Sequence, residues 1–86
     1  YNLNTQIPQQ QMEIEKYRKT MTDDNEIIRH QTLIREAAEV KVENGTLTVS
    51  DLMKEINAEE AAKQAKRLHE IQYLMSVYSL KHTINQ

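Results

Sequence analysis

Three observations predict an all-α chain folded as a long antiparallel two-helix coiled-coil hairpin. The 86 residues hold one Gly and one Pro, where average usage would give roughly six and four. Apolar residues recur mainly three, four and seven apart, the spacing of a helix rather than a strand. The single Gly lies in a short stretch that stops one helix and starts another.

The lead-in segment, 1–8, is polar and carries the only Pro, Pro8, with Asn4 or Thr5 suited to an N-cap and Pro8 tolerable in a first turn. A descending helix follows over 9–43, a span free of Gly and Pro. Its apolar positions are Ile14, Tyr17, Met21, Ile27, Ile28, Leu33, Ile34, Ala37, Ala38 and Val40, with a weak polar middle between Met21 and Ile27. The tip turn, 44–48, contains Gly45, fitted to the left-handed conformation that ends helices. Thr48 with Asp51 three residues on is a near-match to a capping box, and Leu47 with Leu52 occupies the positions of a hydrophobic staple. The ascending helix, 49–82, carries Leu52, Ile56, Ala58, Ala61, Ala62, Ala65, Leu68, Ile71, Met75 and Tyr78, and a short tail covers 83–86.

Folding back at the turn sets Ala37 near Ile56 and Ile34 near Ala58 and Ala62, so that large residues meet small ones. The descending helix alone is about 50 Å long, whereas a compact globule of this length is about 30 Å across. The hairpin is therefore extended. The apolar face of the ascending helix is wider than one partner requires, which favours lateral packing against further helices and self-association of this segment in isolation.

Composition excludes much else. With 38% apolar residues, no Phe, no Trp and four Tyr, a compact core would be thin, and turn residues are too few for a fold of many short strands. Eleven basic against thirteen acidic residues, a net charge of −2, lack the electrostatic footprint of a nucleic-acid binder. No apolar run is long enough to span a bilayer as a helix. There is no charged n-region followed by an apolar core, and the start at Tyr1 without Met suggests a processed or excised segment. Zero cysteines removes disulfides, thiolate catalysis and Cys-based zinc sites, and suits cytoplasm and periplasm alike.

No catalytic, cofactor or metal constellation emerges. His30, His69 and His82 are scattered, and in this register His30 falls near Gln64 rather than His69. The cluster Asp23, Asp24, Asn25, Glu26 lacks the alternation and glycine of a calcium loop and reads as a solvated face. Ser50 beside Asp51 has no histidine to activate it, and capping accounts for both. Lys63, Lys66 and Arg67 among Glu55, Glu59, Glu60 and Glu70 read as i,i+4 ion pairing on an exposed face.

The run 41–83, KVENGTLTVSDLMKEINAEEAAKQAKRLHEIQYLMSVYSLKHT, resembles the C-terminal hairpin of TolC-family outer membrane efflux proteins. The carriers are Gly45 at the turn, the Thr- and Ser-containing stretch 46–50, Asp51 and Leu52 opening the next helix, the pair Asn57 and Ala58, Ala65, and the polar-then-aliphatic run 69–78. Upstream, DNEIIRHQTLIREAA at 24–38 is similar to the descending helix of that hairpin, so the likeness covers about three quarters of the chain, with little from 1–23. One departure is Val42, where many members carry an aromatic, which removes any closing contact made by that ring.

The resemblance implies one hairpin of the periplasmic α-barrel of a trimeric outer membrane channel in a Gram-negative cell. Such channels serve tripartite efflux or type I secretion, and their tips meet a periplasmic adaptor that links them to an inner-membrane transporter. By that analogy Asn44, Gly45, Thr46, Leu47 and Thr48 form the partner-binding tip. The same outline suits the coiled-coil hairpin of a periplasmic adaptor itself, but the efflux-type adaptor tip carries an Arg, and none lies between Arg35 and Arg67. A structural coiled-coil module fits the composition and leaves the tip pattern without a role.

Overall fold

A computed structural model of the chain describes residues 3–85. Two antiparallel helices, α1 (Leu3–Glu43) and α2 (Val49–Ile84), are joined by the turn 44–48. The molecule measures 64 × 15 × 14 Å, with a radius of gyration of 19.3 Å, against about 12 Å for a compact globule of this length. Its accessible surface of 6455 Å² exceeds the roughly 5,300 Å² of a compact monomer of this mass. This is the all-α coiled-coil hairpin that the spacing predicts. Among the described residues no helix is long and apolar enough to cross a membrane.

At the open end, α1 is helical from Leu3, so Asn4 and Thr5 lie inside the helix rather than capping it, and Pro8 lies within it too. Pro8 removes one backbone donor, but Ile7 and Gln10 on either side turn towards α2. Gln10 Nε2 donates to Ser79 Oγ at 3.2 Å. Contacts across the hairpin carry the helix through its weakest point. At the other end α2 runs on to Ile84, where the Asn85 N–H donates to the Lys81 carbonyl at 3.1 Å. Tyr1, Asn2 and Gln86, parts of the expected lead-in and tail, lie outside the described residues.

The seam follows a strict heptad. The buried and half-buried residues of α1 include an unbroken series: Ile7, Gln10, Ile14, Tyr17, Met21 and Asp24, then Ile28, Gln31, Arg35, Ala38 and Val42. Steps of three and four alternate throughout, as at a and d positions of a coiled coil. On α2 the matching series is Leu52, Glu55, Glu59, Ala62 and Lys66, then His69, Tyr73, Ser76, Leu80 and Thr83. Half of these residues are polar or charged. Among the described residues Ile14 and Ala38 are the buried apolar ones, against three buried polar ones, Asp24, Glu59 and Thr83.

Side-chain bonds across the seam fix its register. His69 donates from Nδ1 to Asp24 Oδ2 at 2.6 Å. Glu59 accepts from Thr32 Oγ1 at 2.7 Å and from Arg35 Nε at 2.8 Å, while Arg35 also pairs with Glu39. Further out, Arg18 donates to the Tyr73 hydroxyl at 3.5 Å. Arg35 thus meets Glu59 at the level where the sequence sets Ile34 beside Ala58 and Ala62, so the register agrees with the one read from the turn.

Three expectations are corrected. The cluster 23–26 is not wholly a solvated face, because Asp24 occupies a seam position and is only 6% exposed. Glu59 is not on the exposed face; it is buried and its ion-pair partner Arg35 comes from the other helix, with Lys63 four residues on adding a weaker electrostatic contribution. Leu68, Ile71, Met75 and Tyr78 stay outside the hairpin seam, as do Ile27, Leu33, Ile34 and Val40 on α1. Their spacing is helical, but the continuous heptad that joins the two helices passes along another side of each cylinder.

Candidate functional site at the tip and outer faces

The tip is built from backbone bonds around Gly45. Its φ is +74°, a left-handed value that costs a residue with a Cβ energy. With Gly45 there, the Gly45 N–H reaches the Val42 carbonyl at 3.0 Å and the Thr46 N–H reaches the Lys41 carbonyl at 2.9 Å. Those two bonds make a Schellman motif, satisfying carbonyls that a helix end otherwise leaves open. Thr48 then caps α2. Its hydroxyl accepts from the Asp51 N–H at 3.0 Å and donates to Asp51 Oδ2 at 2.8 Å. The shorter Asp therefore bonds the Thr48 hydroxyl, whereas the Glu of a full capping box reaches back to the cap's N–H.

These bonds sort the tip residues by what each has left to offer. Asn44, Gly45, Thr46 and Thr48 are exposed, and Leu47 is half-buried. The Thr46 hydroxyl is engaged, donating to the Lys41 carbonyl at 3.1 Å, as is that of Thr48. Leu47 instead lines an open groove of about 540 Å³ shared by apolar Ile34, Ala37 and Ala38 and by charged Lys41, Asp51, Lys54 and Glu55. The tip thus offers an exposed polar rim and a concavity of mixed apolar and charged lining. Ile34, Ala37 and Lys41 were not among the expected tip residues, because they come from the last turns of α1 and meet Leu47 only in three dimensions.

The outer faces form the second candidate. On α2, Ala61, Gln64, Leu68, Ile71, Met75 and Tyr78 step by three and four along the side away from α1, and Ile71 is 55% and Tyr78 66% exposed. On α1 the corresponding outer series is apolar towards the tip at Leu33, Ala37 and Val40, charged further back at Lys16, Lys19, Asp23 and Glu26, and apolar again at Met12 near the open end. Both helices therefore carry an apolar strip facing outwards, in different halves of the hairpin.

Inside the seam, electrostatics favour charged partners. The Thr32 hydroxyl and then Arg35 hold the Glu59 carboxyl below the usual glutamate range, against the opposing effect of burial. Arg35 is raised by its bonds to Glu39 and Glu59. Among the described residues no cluster of His, Asp and Glu is placed to hold a metal ion. His69 is engaged with Asp24 instead. No protein-family model, no curated protein and no solved structure matches the chain.

Proposed function

We propose that the chain is a stave of a larger helical cylinder: one hairpin of the periplasmic α-barrel of a trimeric TolC-like outer membrane channel, meeting a periplasmic adaptor at its tip. One observation carries the reading. The seam between α1 and α2 is rich in polar residues, while many of the large apolar residues lie on the outside of both helices. A self-sufficient hairpin would put those residues inside, where burial contributes about 25 cal/mol per Å². A stave flanked on both sides by other helices needs them where they are. The tip residues 44–48 supply a capped end, and the Leu47 groove supplies an amphipathic concavity for a partner.

In this reading the partner contact rests on Leu47 and Asn44, because the Thr46 and Thr48 hydroxyls are engaged in the turn. The function is transport through the assembled cylinder in concert with an inner-membrane transporter. The test is a photo-crosslinking residue placed at Leu47 of the full-length protein in cells. The expected result is a crosslink to an adaptor, together with export per assembled trimer that falls in Leu47→Ser. Unchanged export per trimer, with no crosslink from Leu47 or Asn44, would remove the tip from partner binding.

A further inference from the structure

The outer strip of α2 has a property independent of any channel: it is complementary to itself when turned end for end. We infer that it is a docking surface for a second copy of this chain, packed antiparallel through α2 about a two-fold axis between Leu68 and Ile71. In that arrangement the strip pairs in three layers, Ala61 with Tyr78, Gln64 with Met75, and Leu68 with Ile71 of the other copy, each repeated by the symmetry. The largest side chain meets the smallest, as in a well-filled helix seam.

The flanks agree with the centre. In an antiparallel helix pair the residues on one side of the core face their own kind across the dyad. On one flank this sets Glu60 against Lys81 and Arg67 against Leu74, giving two symmetry-related ion pairs and no like-charge contact. On the other it sets Ala58 against Ser79 and Ala65 against Gln72, which are small or uncharged and leave room for close approach. Glu60 and Lys81 are both exposed in the single chain and have no cross-helix ion pair among the described residues.

Tips-together packing of α2 of one copy on the outer face of α1 of the other fails the same comparison. At the height of Leu68 to Tyr78 the outer series of α1 offers Lys16, Lys19 and Asp23, charges that an apolar strip would have to desolvate. Turning one copy over removes that conflict. The interface is isologous and closed, so it stops at two copies.

The test uses the chain itself, whose lack of cysteine allows one spin label at the exposed Ser50 as Ser50→Cys. Sedimentation should show a monomer–dimer equilibrium. In the dimer the two labels should lie about 60 Å apart, twice the rise from residue 50 to the dyad; tips together would put them within about 20 Å, two interaxial distances. Glu60→Lys should weaken the dimer several-fold, and Glu60→Lys with Lys81→Glu should restore it, without changing helical content by circular dichroism. Ile71→Asp, next to the dyad, should weaken it at least about tenfold, since each copy loses an apolar anchor. A monomer at all concentrations, a short label distance, an assembly larger than two, or failure of the charge exchange to restore pairing would each overturn the inference.

Discussion

The inner and outer faces of α2 share one spacing and have opposite chemistry. Facing α1, the three-four steps carry Glu55, Glu59, Lys66, His69, Tyr73, Ser76 and Thr83 among only Leu52, Ala62 and Leu80; facing away, they carry Ala61, Leu68, Ile71, Met75 and Tyr78 with one polar residue, Gln64. The inner face is directional. The bonds Asp24–His69 and Thr32/Arg35–Glu59 exist in one register only, and a slide of one turn would leave buried carboxylates without partners. The outer face is the reverse, mostly apolar and exposed in the single chain. The bonds that hold the hairpin in register and the apolar area left over for association thus lie on two sides of one helix.

The largest expected effect comes from breaking the inner face at one of its buried carboxylates. His69→Leu leaves the Asp24 carboxylate, 6% exposed, without its partner, at a cost of about 1–3 kcal/mol. Adding Asp24→Leu should recover much of that loss, since replacing both partners of a buried hydrogen bond by apolar groups costs little or nothing net. Urea unfolding of the two variants measures both. A double variant less stable than the single one would mean that the pair contributes more than its desolvation.

The turn should come next. A Cβ at Gly45 would meet no atom within 4 Å, so the cost of Gly45→Ala is that of a left-handed backbone alone, about 1–2 kcal/mol. Gly45→Asn should cost less, because Asn tolerates that conformation. Equal losses for Ala and Asn in thermal unfolding would show that packing rather than backbone geometry sets the price.

The acid response of the inner face is gentler. Glu59 sits below the ordinary glutamate range in the folded chain, so its contribution is full above that range, about pH 4.3, and is lost as pH falls towards the lower folded value. Urea midpoints should therefore fall on acidification below about pH 4.3, and less so in Glu59→Gln. An identical acid slope in the variant would assign the response to other carboxylates.

These differences explain what was legible in the sequence. The turn was, because Gly45, Thr48 and Asp51 act within a few residues of each other and each has a backbone role that its type announces. The helices and their antiparallel register were too, since the turn fixes both. The seam was not. Asp24, Gln31, Arg35, Glu59 and His69 occupy core positions without an apolar signal, and only the unbroken alternation of three and four from Ile7 to Val42 marks them. Apolar spacing on α2 pointed to Leu68, Ile71, Met75 and Tyr78, which belong to the outer face. The Leu47 groove was equally hidden, since Ile34 and Ala37 reach it only through the fold.

The central claim, that the outer strip of α2 is built to be covered by another helix while the seam is already closed, can be tested at the four methionines of one chain. Met21 is half-buried in the seam, Met75 lies on the outer strip at 66% exposed, and Met12 and Met53 are exposed elsewhere. Hydroxyl-radical oxidation measured across a concentration series reads all four together. The account predicts low oxidation of Met21 throughout, a fall at Met75 as concentration rises, and steady high oxidation of Met12 and Met53. Oxidation of Met75 that stays as high as that of Met12 at every concentration would contradict it.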